Sequence, residues 1–178
     1  MKTAILAAAI AVTATASSAE VIDLARSGDW GTSFSSSDDY DVQVCIMAGI
    51  GTDGDMIYFM AQQAFGERSL NIDFRINNIN PPEQNFQMDA DLNVDGSLWT
   101  LRDAEWLKYD TSIMDVEFTW DGSTGDVSRM VSNMAAGNTM LLLNPENNQT
   151  MTTWNLDGMD VAKDAWEYCM GKLEDFAA

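Results

Sequence analysis

An antiparallel β-sandwich or partly closed barrel, with a C-terminal helix tied by a disulfide to the first strand, is the fold class this sequence predicts. Three observations predict it. Apolar and polar residues alternate with period two in several stretches of the first two thirds, and Gly, Pro, Asn and Asp punctuate those stretches. The end of the chain then switches to a four-residue apolar repeat that carries Cys169, one of 2 cysteines. About seven short strands spaced in this way are the pattern of all-β sandwiches and small barrels.

Residues 1–19 have the shape of a secretory signal: a basic start at Lys2, an apolar run over 4–12, and a small-residue stretch with cleavage expected after Ala16 or Ala19. Residues 20–178 then form a single β-rich domain, without internal repeats or a linker. In the first strand Tyr40, Val42, Val44 and Ile46 alternate with Asp41, Gln43, Cys45 and Met47. Burying the Tyr-Val-Val-Ile side sends Cys45 to the opposite face, toward an element outside the sheet. A loop over 49–54 leads to its antiparallel partner at 56–61. Leu70, Ile72, Phe74 and Ile76 alternate strictly with Asn71, Asp73, Arg75 and Asn77, and Pro81-Pro82 ends that strand. Phe86, Met88, Ala90, Leu92 and Val94 run into Asp95-Gly96, a two-residue hairpin signal, before 98–101. Further strands are expected at 113–120, 139–143 and 150–156.

Two helices interrupt the strands. Asp126 is the expected N-cap of the first, which places Val127, Met130, Val131 and Met134 on one side and stops at Gly137. The second opens near Asp160 and repeats Val161, Ala165, Cys169 and Leu173, flanked by Ala162, Trp166 and Met170.

Acidic residues number 28 against 9 basic ones, for a net charge of −19. That balance excludes nucleic acid and anionic membranes as partners, because their phosphates repel such a surface, and favours a basic protein or envelope component. No apolar stretch is long enough to insert in a membrane. Histidine is absent, which removes serine triads and most zinc sites, and no cofactor motif is present. In an exported protein Cys45 and Cys169 pair. Closing a loop of about 125 residues contributes on the order of 5 kcal/mol in the chain-entropy model.

Asp91, Asn93, Asp95 and Gly96 match the first half of a calcium loop, but its closing glutamate position holds Arg102. The aromatics Trp99, Trp106, Tyr109 and Trp120 cluster in sequence around two strands; packing is their first expected role and a recognition face the second. Carboxylate pairs suffice for glycosidic chemistry without histidine, yet no spacing singles one pair out.

The order of short motifs resembles a known family. Gly28-Asp29-Trp30, then Cys45, then Leu92-Asn93-Val94-Asp95-Gly96, and the tail Thr153-Trp154-Asn155-Leu156-Asp157-Gly158 with Ala162, Ala165 and Cys169, are similar to the invasion-associated locus B-like family of secreted or periplasmic alphaproteobacterial proteins. The resemblance implies a mostly antiparallel sandwich with a C-terminal helix and an envelope role, with no catalytic residues. Many members carry a further mid-chain cysteine pair, which this chain lacks. The expectation is a non-enzymatic exported binding or structural module. The alternatives are an acidic inhibitor of a basic envelope enzyme such as lysozyme, then a calcium-binding or carboxylate-based hydrolase domain.

Overall fold

The computed structural model describes residues 20–37, 41–65, 67–77, 83–108, 112–119, 124–144 and 146–173. The expected signal segment lies outside them. The protein is mainly β, built on one ten-stranded antiparallel sheet with two helices among the described residues. The strands are β1 Glu20–Ser27, β2 Trp30–Ser37, β3 Val42–Ile50, β4 Met56–Ala64, β5 Glu67–Asn77, β6 Phe86–Val94, β7 Ser97–Lys108, β8 Ile113–Thr119, β9 Thr139–Leu143 and β10 Thr150–Asn155. Helix α1 spans Thr124–Ala135 and α2 spans Met159–Met170.

The order across the sheet is β1-β2-β3-β4-β5-β8-β7-β6-β9-β10. The first five strands meander. The chain then steps out to β6 and returns through β7, so that β8 pairs β5, and α1 carries it across to β9 beside β6. The ladder does not close into a barrel, because β1 and β10 end it unpaired with one another. It folds over instead. Trp154 of β10 packs its ring 5.9 Å from that of Phe74 in β5, and Trp30 of β2 donates its indole N–H to the Asn155 carbonyl at 2.7 Å.

Both helices sit on the concave, core side. Val127, Met130, Val131 and Met134 are buried as expected, but α1 opens at Thr124, so Asp126 lies in its first turn, ion-paired with Arg129 at 2.7 Å, and is not the cap. In α2 the buried stripe is Met159, Ala162, Trp166 and Cys169, continued by Leu173, while Val161 is 42% exposed. The stripe is thus rotated from the expected one, because Cys169 must face β3.

The disulfide joins Cys45 to Cys169, both fully buried. Thr32 in β2 adds a buried hydrogen bond to the Ala162 carbonyl at 2.8 Å. The tied strand is the third, not the first. β1 lacks alternation and β2 presents Gly31, Ser33 and Ser35 outward, so both look like irregular chain in the sequence. The faces of β3 are also reversed from expectation. Cys45, Met47 and Gly49 point into the core, whereas Val44 and Ile46 are only half-buried on the outside.

Two motifs far apart in sequence meet here. Gly28 and Gly158 both have positive φ, 57° and 86°. A Cβ at Gly28 would lie 2.8 Å from the Asp157 carbonyl oxygen, and one at Gly158 would lie 2.5 Å from that of Ser27. The β1–β2 turn and the turn entering α2 therefore pack backbone to backbone, which only glycine permits.

Candidate docking face on the outward side of the sheet

Alternation sends one side chain in two away from the core. On β3 and β4 those outward residues form an apolar ladder in direct cross-strand register: Ile46 opposite Met60, Ala48 opposite Tyr58, Ile50 opposite Met56. Such pairs are the units of sheet stabilisation, but here they also leave an apolar surface. Neither helix packs on it, since α1 and α2 lie against the opposite side. Ile50 is 40% exposed.

The ladder has two borders. On the β2 side, Gly31 and Ser33 stand opposite Ala48 and Ile46, and their small size leaves a shallow trough of about 250 Å³, walled by Asp23 and Arg26 from β1 and by Ile46 and Met56. On the β5 side the chemistry changes to charge.

Tyr58 faces Asp73, Asp73 faces Glu117 of β8, and Glu117 faces Glu105 of β7. Three carboxyl side chains thus occupy consecutive positions in one cross-strand row, where like charges directly opposite each other are destabilising. Gln87 of β6 ends the row, donating to Glu105 at 3.1 Å. The next row is neutralised: Arg75 clasps Asp115 with two bonds of 2.9 and 3.0 Å. Burial, then the neighbouring carboxylates of Glu117 and Asp115, push Asp73 up to about 6. Burial also raises the Tyr58 hydroxyl, partly offset by Arg75. Glu117 lines two hollows on this face, one of about 110 Å³ with Tyr58 and Asp73, the other of about 440 Å³ with Glu105 and Arg102.

The residues singled out from sequence fall elsewhere. Trp106 is 1% exposed, stacks on Phe86 at 5.7 Å and donates to the Met88 carbonyl, so it is core and presents no face to a partner. Trp99 is half-buried against α1, with Arg129 5.5 Å above its ring and Asn133 accepting from its indole N–H. Tyr109 and Trp120 lie outside the described residues. Asp91 accepts from Thr100 at 2.6 Å, and Asn93 accepts from the Gly96 amide at 2.7 Å. The Asp95 carboxylate accepts from the amides of Asn138 and Thr139, which lowers its pKa. These oxygens serve a hairpin and its neighbouring strand, with Asp95 and Gly96 both at positive φ. Among the described residues no three acidic or cysteine side chains are grouped to hold a metal.

The apolar ladder and the acidic row escaped sequence reasoning because both arise from register. Asp73, Glu105 and Glu117 are dispersed in sequence, and only the β5–β8–β7 order brings them side by side. Comparison with known protein families, with curated proteins and with solved structures finds no match.

Proposed function

We propose that the protein is a non-enzymatic, exported binding module that takes a protein partner on the outward face of β3 and β4. One observation carries this. β3 and β4 read as nearly continuous apolar runs, VQVCIMAGI and MIYFMA, the composition of strands covered on both faces, yet among the described elements they are covered on one. Apolar area left open beside polar borders marks interaction surfaces.

Export is supported by the signal-like residues 1–19 and by a buried disulfide, which persists in oxidising compartments. No helix among the described residues is long and apolar enough to cross a membrane. An envelope location, periplasmic or secreted, and kinship with the invasion-associated locus B-like family are parts of the same proposal.

The test compares two matched variants in affinity capture from envelope extract. Ile46→Glu places a charge in the apolar ladder; Asn93→Glu places one on the outward face of β6. The parent and Asn93→Glu should retain a common partner that Ile46→Glu loses, with all three equally folded by circular dichroism. Retention of that partner by Ile46→Glu would rule the face out.

A further inference from the structure

Resting on that reading, we infer the chemistry of the partner: an amphipathic helix that lays an apolar stripe along Ile46, Met60 and Ala48 and sets a lysine or arginine against Asp73 and Glu117. Width selects a helix. The apolar ladder is two strands wide, about 10 Å, which is one helix diameter. A second sheet would need an apolar face several strands broad, and here the small residues of β2 end it on one side and the acidic row on the other.

Charge selects the sign. The row Asp73–Glu117–Glu105 runs across the strands and continues the Ala48–Tyr58 rung, so that Asp73 stands one strand, Glu117 two strands (about 10 Å) and Glu105 three strands (about 15 Å) from Tyr58 on β4. A helix seated along β3–β4 turns its flank toward the near end of that row, where a lysine or arginine reaches Asp73 and Glu117 and relieves a repulsion that the described residues leave in place. Arg75 is already clasped by Asp115 and Arg102 is 3.6 Å from Asp89, so the nearby arginines are engaged on other carboxylates. A second copy of this chain fits poorly, because like faces of a molecule carrying −19 repel.

The experiment titrates the oxidised, isotope-labelled protein with an eighteen-residue amphipathic helical peptide of leucine and lysine, and with its leucine–glutamate twin, reading amide shifts. Saturable shifts confined to Ile46, Ala48, Met60, Asp73 and Glu117 are expected from the lysine peptide only. The variant Glu117→Gln should weaken binding at least threefold, and Ile46→Ser/Met60→Ser at least tenfold. The glutamine variant relieves repulsion, so its loss of binding does not reflect unfolding. Shifts scattered over other acidic surface, equal response to the twin, or no saturable binding would overturn the inference. A dimer of the protein alone that Ile46→Lys dissociates would also overturn it, while leaving the docking face in place. Failure of the capture experiment, by contrast, removes the face itself.

Discussion

The outward surfaces of β6–β7 and of β3–β4 belong to one sheet over one core, and they solve the same problem differently. On β6–β7 most outward residues are polar and several pair with each other, Gln87 donating to Glu105 and Thr100 to Asp91, with Leu98 the apolar exception. Among the described elements nothing further covers the outer side of those strands. On β3–β4 the outward positions hold Ile46, Met60, Ala48, Ile50 and Met56, which water does not satisfy. A polar outer face is finished by the chain itself; an apolar one is finished by something else.

The inner face bounds the comparison from the other side, and the disulfide gives the largest contrast. Cys169→Ser removes the tie between α2 and β3 across a separation of 124 residues. It should lower stability by about 3–5 kcal/mol in urea unfolding. An unchanged midpoint would mean that α2 is held by packing alone.

Next come adjacent residues of one strand. Met47 is fully buried, whereas Ile46 points outward. Met47→Ala should cost about 2–5 kcal/mol through the cavity it leaves, and Ile46→Ala under about 1 kcal/mol. Equal costs would show that the outer face is already covered in solution, and would break the distinction between the faces.

The smallest effect is electrostatic. Asp73 titrates near 6 when folded, above its ordinary 3.8. The folded protein therefore holds a proton that the unfolded chain has released. The associated stability is complete below pH 4 or so and is lost as pH rises to about 6, on the order of 1 kcal/mol once solvent screening is allowed for. Around Asp73 stand Tyr58 from β4, Arg75 on its own strand, and Asp115 and Glu117 from β8. Asp73→Asn should flatten the pH profile of the urea midpoint between 4 and 6; a profile unchanged from the parent would discount the row. Asp95 has the opposite sign, since the Asn138 amide lowers its pKa, so its contribution is lost only as pH falls below the usual carboxylate range.

How much of this was legible depends on how one-sided each strand is. β5 alternates strictly, so its sequence assigns Leu70, Ile72, Phe74 and Ile76 to the buried side, where they lie. The Asp95-Gly96 hairpin and the pairing of Cys45 with Cys169 were equally legible, the first from turn chemistry and the second from having two cysteines. β3 carries apolar residues on both faces, so its period has no phase, and the alternation alone points its outward side toward the core. β2 hides as a serine-rich stretch because its outward residues are small. The acidic row was illegible in principle. It depends on strand order, which a local pattern does not contain.

The long span between the two cysteines also orders events in time. Cys45 belongs to β3, near the beginning of the folded domain, and its partner follows 124 residues later. Synthesis of nearly the whole domain must finish before that sulfur can be oxidised by its own mate. Until then it is a lone thiol, open to capture by any other. A chain released before residue 169 carries one unpaired cysteine in the strand that also bears the apolar ladder, so a thiol-specific label applied to the denatured protein marks the molecules in which the pair has not formed.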